Sequence, residues 1–198
     1  YKIAYLIESG ISPHEILALT FTNKAANEMK QRIFRLVGPH AQNIWMGTFH
    51  SIFARILRFE AKYIGFDRNF SIYDDDDSDK LVDTIMKDFH MSTENSKPRA
   101  VSAHIKALKN KLILPDDFVP STNPFDRLVE PVYREYQQRL FKNNAMDFDD
   151  LLLYPIELFR KNPDVLAKYQ NRFKFVLVDE FQDTNRAQYE IWKMLASM

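Results

Sequence analysis

The chain contains no cysteine, which excludes a disulfide framework and thiolate-bound zinc and fits a reducing, cytoplasmic setting. Glycine is scarce as well: Gly10, Gly38, Gly47 and Gly65 are the only four in 198 residues, and none precedes a lysine. A phosphate-cradling loop needs glycines whose backbone N–H groups wrap the phosphates, followed by Lys and Ser or Thr. No G-x-x-x-x-G-K-[ST] occurs here. Net charge is lacking too, with 27 basic residues against 27 acidic ones. The overall field therefore does not draw nucleic acid to the chain, and any such binding must come from local sites. No apolar run approaches the ~20 residues of a membrane span, and no signal peptide is visible, so a soluble chain is expected. The first residue is Tyr1, not methionine. Ile3, Ala4, Leu6 and Ile7 already stand at helical spacing, and the chain stops at Leu195-Ala196-Ser197-Met198 inside another helical pattern. Both ends read as cuts through a longer protein.

What is present is ample for a core: 45% of residues are apolar and 14% aromatic, which argues against global disorder. After the opening helix, Gly10 and Pro13 mark a turn. Ile16 to Thr22 reads as a strand, with Leu17, Leu19 and Phe21 alternating with Ala18, Thr20 and Thr22. Thr22 and Asn23 are N-cap candidates for a helix with Ala25, Ala26, Met29, Ile33 and Leu36 on one face, closed by Gly38-Pro39. A second short strand, Ile44 to Thr48, leads into a helix over Phe49 to Tyr63. From Asp74 to about Leu140 strand signals vanish, and helical stretches alternate with breaks at Ser92 to Pro98 and Leu114 to Pro124. Helical patterning resumes over Leu151 to Phe159 and Val165 to Tyr169. The strongest strand, Phe173 to Val178, then runs into Asp179-Glu180, and a last helix carries Tyr189, Trp192 and Leu195. This order predicts an α/β fold: a parallel sheet with covering helices, interrupted by a mostly α-helical inserted subdomain. The expected division is residues 1–50 with 161–198 for the sheet domain and 51–160 for the insertion.

The segment Phe175-Val176-Leu177-Val178-Asp179-Glu180 carries the most chemistry. A strand in a parallel sheet buries its apolar length and releases its first polar residues at the carboxyl edge, where α/β proteins place ligands. Two adjacent carboxylates repel there unless a cation or a substrate shares the site. One reading is an acid pair that closes a strand and caps the next helix. The other is a nucleotide site, in which Asp179 holds Mg²⁺ through its water shell and Glu180 orients and deprotonates the attacking water.

The continuation favours the second reading. Asp179-Glu180-Phe181-Gln182-Asp183-Thr184-Asn185 resembles the D-E-Y-Q-D-T-N box of UvrD/PcrA/Rep-type superfamily-one DNA helicases, with Phe181 replacing the commoner Tyr. Leu19-Thr20-Phe21-Thr22-Asn23-Lys24-Ala25-Ala26-Asn27-Glu28-Met29 looks like that family's first DNA-contacting motif. Gly47-Thr48-Phe49-His50-Ser51 looks like its second, and Met146-Asp147-Phe148-Asp149-Asp150-Leu151 resembles a further family segment. Four matches in the expected order are far more specific than any one. The resemblance implies a RecA-like P-loop NTPase motor domain, here without its P-loop. The implied parent is an ATP-dependent helicase that moves 3′ to 5′ on DNA, with ATP and Mg²⁺ as cofactors. Implied partners are single-stranded DNA and the single-strand/duplex junction, with no membrane, and repair or replication proteins besides. It implies catalytic roles for Asp179 and Glu180, and a link between the nucleotide and DNA sites through Gln182 and Asp183. It implies DNA contacts at Phe21, Thr22, Asn23, Thr48 and His50. With neither the P-loop nor the second motor domain that supplies an arginine to the γ-phosphate, the 198 residues alone are expected to be inactive. A non-catalytic DNA- or protein-binding module that keeps the fold is the alternative, as is a helicase–nuclease subunit.

Four charged groups read as structural. Asp74 to Asp77 precedes a helix expected to begin near Ser78, whose N-terminal dipole favours carboxylates. Asp147, with Asp150 three residues on, reads as a cap with an acidic first turn. Lys97, Arg99, Lys106, Lys109 and Lys111 read as a solvated helix face, with contact to duplex DNA as the alternative. Arg55, Arg58 and Lys62 read as a second solvated face.

Overall fold

The computed structural model describes residues 1–91 and 97–197. The chain divides into two compact units, Tyr1–Leu57 with Tyr154–Met198, and Arg58–Leu153.

In the first unit, α1 (Lys2–Glu8) precedes β1 (Ile16–Thr20), α2 (Asn23–Val37), β2 (Trp45–Thr48) and the start of α3 (Phe49–Glu60). The chain returns through the end of α7 (Asp150–Lys161), α8 (Pro163–Arg172), β5 (Phe175–Val178) and α9 (Arg186–Ala196). The three strands form a parallel sheet in the order β2-β1-β5. All five residues of β1 are buried because the strand is flanked on both sides and covered on both faces. On one face Ile16, Ala18 and Met46 pack with Ile3, Leu6 and Ile33 of α1 and α2. On the other face a ladder of rings runs from Trp45 through Phe173 and Tyr169 to Phe159, at centroid separations of 5.3, 6.1 and 6.0 Å. Phe159, Tyr169 and Phe173 are buried, so the ladder anchors α7 and α8 beneath the sheet. The helix α2 starts at the expected cap, where the Thr22 hydroxyl accepts from the Ala25 N–H at 3.1 Å. It ends at Gly38, whose φ of 63° is open to glycine at little cost.

The acid-bearing strand differs from expectation. β1, not β5, is the central strand, and all four residues of β5 are only half-buried. The reason is topological. Among the described residues β5 pairs with β1 alone, so one flank lacks the neighbour that would complete its burial.

The second unit is built on α4 (Asp75–Asp88), α5 (Pro98–Asn110) and α6 (Pro124–Lys142). Val82, Ile85, Val101, Ile105, Val129, Val132 and Tyr136 form its core. The break read over Ser92 to Pro98 lies largely outside the described residues. Helix α4 begins three residues earlier than read from sequence: Asp74 is its N-cap, and Asp74 and Asp77 cap each other's backbone N–H groups. The unit also contains a parallel pair of short strands, β3 (Ser71–Tyr73) and β4 (Ala145–Asp147). Three residues each are too few to show a period of two.

The basic stretch is not a solvated face throughout. Lys109 is buried, its Nζ 2.6 Å from Asp147 Oδ2 and 2.8 Å from Asp150 Oδ1. Lys106 pairs with Asp75 at 2.7 Å. The second basic face is corrected likewise: Arg58 donates to the Arg68 carbonyl at 2.8 Å and lies over the Phe70 ring. Asp147 and Asp150 do cap each other, through N–H bonds of 3.1 and 2.8 Å. Tyr136 donates to Asp147 at 2.9 Å, and Gln137 donates to both oxygens of Asp150. Burial, followed by the charge of Asp147, raises the Tyr136 hydroxyl far above its ordinary value, so it stays a donor.

Burial pushes the carboxyl of Asp147 up, but the ammonium of Lys109 and three hydrogen bonds outweigh this and hold it below its ordinary value. Burial and then the charge of Asp147 push Asp150 up to about 7. Lys109, Gln137 and the Asp147 N–H all donate to it, which favours the ionised form and offsets part of that rise. Asp149 is raised in the same direction, to about 6, by burial first and by Asp147 second, and it is the less buried of the two. An acid with a raised folded pKa binds its proton more tightly in the native state. Stability should then be greatest below its ordinary value of 3.8 and fall as pH rises through about 6. The expected loss is about 1–2 kcal/mol after allowance for its partial exposure. Thermal melts between pH 4.5 and 7.5 should show this fall, and Asp149→Asn should flatten it; an unchanged slope in that variant would assign the effect elsewhere.

Candidate functional site at the carboxyl edge of the sheet

Because all three strands run the same way, their carboxyl ends meet at one edge. Leu19 lies level with Gly47 on one side and Val178 on the other, and Thr20 with Thr48. The Asp179 N–H donates to the Leu19 carbonyl at 2.9 Å, carrying the ladder one residue past β5. Phe21-Thr22-Asn23, Phe49-His50 and Asp179-Glu180 thus leave neighbouring strands side by side. With strands about 4.8 Å apart, the exits from β2 and β5, on either side of β1, are separated by about 10 Å at the backbone.

The end of β5 is the most constrained part of the edge. Glu180 adopts φ 52°, ψ 47°, the left-handed region. A side chain there costs roughly 1–2 kcal/mol, and such strain persists only where the surroundings over-determine it, commonly at functional sites. The surroundings are visible. A turn of 3₁₀ helix over Phe181–Asp183 is closed by bonds from Asp183 N–H to the Glu180 carbonyl (2.9 Å) and from the Thr184 hydroxyl to the Phe181 carbonyl (2.9 Å). The Phe181 ring packs edge-on against Trp192 at 4.8 Å, with Tyr189 at 6.2 Å. Asn185 and Gln188 then cap α9 reciprocally, both bonds 2.9 Å. Thr184, Asn185 and Gln188 thus serve the geometry of the acid loop, a role legible only as an N-x-x-Q capping pattern. Asp179, Glu180, Gln182 and Asp183 are all exposed.

Glycine at 180 should relax this strain. Glu180→Gly is expected to raise thermal stability by up to about 1 kcal/mol, while Glu180→Gln, with its Cβ retained, should leave it unchanged. A clear drop in melting temperature for the glycine variant would count against backbone strain here.

Beside Asp179 opens a cavity of about 510 Å³, floored by Ala18, Leu19, Leu177 and Val178. Lys2 and Arg32 bring positive charge to its wall, and Glu28 and Asp179 negative charge. Among the described residues no cluster of three or more His, Cys, Asp or Glu could cage a metal ion. A divalent ion at Asp179 would therefore keep its waters and take its remaining oxygens from a substrate, which is how Mg²⁺ binds at phosphate sites. The donor set fits that ion.

The two remaining exits differ in character. Thr22 and Asn23 are exposed at the start of α2, where helix N–H groups and the dipole favour a phosphate. Phe21 is half-buried, its ring 5.6 Å from Phe49, which is itself buried core. Thr48 is buried, and its hydroxyl accepts from the Ser51 N–H at 3.1 Å as the cap of α3. Gly47 has no room for more: a Cβ there would lie 2.6 Å from Ser51 Oγ, which is bonded to the Thr48 carbonyl. His50 is half-buried, and burial lowers its pKa below the ordinary 6.5, so it is a neutral hydrogen-bonding group at pH 7.

The carboxyl edge of this parallel sheet thus gathers an acid pair whose Glu180 is left-handed, a helix start and a buried Thr cap. The chain belongs to the UvrD/REP helicase N-terminal domain family, which it matches over residues 1–198. It is a UvrD/PcrA-type N-terminal segment, 47% identical over its whole length to the ATP-dependent DNA helicase PcrA of Staphylococcus epidermidis. It is 46% identical to the ATP-dependent DNA helicase PcrA of Staphylococcus aureus, again over the whole chain. The chain spans 27% of the length of these relatives. No helix among the described residues is long and apolar enough to cross a membrane.

Proposed function

We propose that this chain is the first, RecA-like motor domain of an ATP-dependent DNA helicase, with the helical unit as its inserted subdomain. The parent couples ATP hydrolysis to 3′-to-5′ movement on single-stranded DNA and to unwinding at the duplex junction. The observation that carries this reading is the strained Glu180 beside Asp179 on the sheet edge that also bears Thr22 and His50. A module that only binds has no use for an exposed acid pair whose second member, Glu180, is held against backbone preference.

In this mechanism Asp179 would hold Mg²⁺ through its water shell, and that ion would supply charge neutralisation for the phosphates of ATP. Glu180 orients the attacking water and takes its proton. Gln182 and Asp183, one turn on, link this site to the DNA. At the other exits the first turn of α2 meets a DNA phosphate through Thr22, Asn23 and backbone N–H groups, and Phe21 offers its ring to a base. His50, neutral, contributes a hydrogen bond rather than a charge. Thr48 acts chiefly through the backbone it holds, since its hydroxyl already serves as a cap.

Translocation assays test the direction. The parent protein should displace streptavidin from the 5′ end of a biotinylated single strand in the presence of ATP and Mg²⁺, and not from the 3′ end; the reverse preference would defeat the reading. The 198 residues by themselves hold no glycine-rich phosphate loop. They should hydrolyse ATP no faster than buffer, with or without single-stranded DNA, and turnover abolished by Glu180→Gln would contradict this.

A further inference from the structure

Helix α9 presents two faces. Ala187, Gln188, Ile191 and Leu195 are buried, at the spacing of one helical face, and fix the helix within its unit. Its ends are tied as well. Asn185 and Gln188 cap the start, and near the close the Gln170 side chain donates to the Met194 and Ser197 carbonyls at 2.8 and 2.7 Å. Tyr189 and Trp192, three residues apart, stand side by side with ring centroids 6.0 Å apart. Phe181 lies against this pair, 4.8 Å from Trp192 and 6.2 Å from Tyr189. Phe181 and Tyr189 are exposed and Trp192 is half-buried, so the three rings add little to the core. What they supply is direction, and Phe181 is the residue that follows the left-handed Glu180.

We propose that Trp192, with Tyr189 beside it, is a positioning residue that aims the Glu180 carboxylate through Phe181. The proposal rests on the reading of Glu180 as the base. On one side of Glu180, the Asp179 N–H is pinned to the Leu19 carbonyl of β1. On the other, the 3₁₀ turn is closed by bonds from Asp183 N–H to the Glu180 carbonyl and from Thr184 N–H to the Phe181 carbonyl. The φ and ψ of Glu180 are thus the joint between strand and turn, and the turn can swing about them as a unit. The Phe181 ring fastens that unit to α9. An edge-to-face ring pair has a directional energy of the same order as the penalty on a left-handed residue that carries a side chain. The Trp192 contact is therefore large enough to decide whether Glu180 keeps this conformation. Without the ring, Glu180 relaxes toward the ordinary regions of backbone space, and its carboxylate turns away from its place beside Asp179. A ringless apolar residue at 192 covers surface but does not hold that direction.

Steady-state kinetics of parent-protein variants test this. Trp192→Leu should lower kcat for DNA-stimulated ATP turnover by about tenfold or more, the scale on which a small misplacement of a reacting group acts. KM for ATP and affinity for single-stranded DNA should stay within about twofold, since only the attack on the phosphate is affected. Trp192→Phe, which keeps a ring, should recover kcat to within about threefold of the unaltered protein. Phe181→Leu breaks the same contact from the loop, on an exposed side chain, and should reproduce the loss even if Trp192→Leu folds poorly. In a Glu180→Gln background Trp192→Leu should change the residual turnover by less than about twofold, because residues that act as a unit are not additive. No recovery with Trp192→Phe, or a further tenfold fall on top of Glu180→Gln, would overturn the proposal. Turnover lost in Glu180→Gln but kept in both leucine variants would defeat this proposal alone. Turnover kept in Glu180→Gln would defeat the reading of the base and this proposal with it.

Discussion

Replacing Lys109 by methionine is expected to destabilise the helical unit by about 3–5 kcal/mol, enough to depopulate a domain whose whole stability is of order 5–15 kcal/mol. Lys109 is 1% exposed and its side chain bridges two carboxylates, Asp147 (2.6 Å) and Asp150 (2.8 Å), each itself buried. With the ammonium gone, two negative charges remain away from water. The donors left to them, Tyr136, Gln137 and the capping N–H groups, supply hydrogen bonds but no charge. Methionine fills much the same volume, so the loss reads electrostatics rather than a cavity. Urea unfolding followed by helical circular dichroism measures it. A second variant keeps the idea falsifiable: Lys109→Met combined with Asp147→Asn and Asp150→Asn should recover most of the loss, since removing all the charges together is far less costly than stranding two. A change below 1 kcal/mol in the single variant, or no recovery in the triple, would mean that the network is wetter and weaker than its burial indicates.

Glu180→Gln in the parent protein is expected to lower DNA-stimulated ATP turnover by about 10²–10⁴-fold, the usual reach of a positioned general base. The amide keeps the size and the hydrogen-bonding plane of the carboxylate but cannot take a proton. The interaction it loses develops only as water attacks, so kcat should fall while KM for ATP changes little. Binding of single-stranded DNA should be unaltered, because Glu180 leaves the sheet edge from β5, whereas Thr22 and Asn23 leave it from β1. Asp179→Asn should act differently, raising the Mg²⁺ concentration needed for turnover. Should Glu180→Gln retain turnover within threefold of the unaltered protein, the base lies elsewhere and the proposed mechanism falls.

Much of the sheet edge was legible beforehand. Apolar runs of five or six residues that stop at Thr-Asn or Asp-Glu state both where a buried strand ends and what it presents there. The Thr22 cap and the Gly38 stop of α2 follow from residue types alone. The conformation of Glu180 was not legible, because left-handed backbone at a glutamate opposes local preference and is imposed by the turn after it and by the packing of Phe181 on Trp192. Nor was the order of strands. Phe175–Val178 is the most apolar of the three segments, yet it lies at one end of the described sheet, while Ile16–Thr20 takes the middle. Apolarity reports how much a strand can bury, not which neighbours it has.

The amino-acid sequence by itself determined the local grammar of this protein: which segments become helices and strands, where their caps fall, and which polar residues each strand releases at its end. Those are settled within a few residues by backbone preference and hydrophobic spacing. Only the tertiary structure decided that three releases up to 160 positions apart share one edge. It also decided that Lys109, in a stretch of basic residues, turns inward to two aspartates about forty positions on. A side chain's surroundings, and with them its charge state and its use, depend on contacts whose partners are remote along the chain, and no local pattern encodes them.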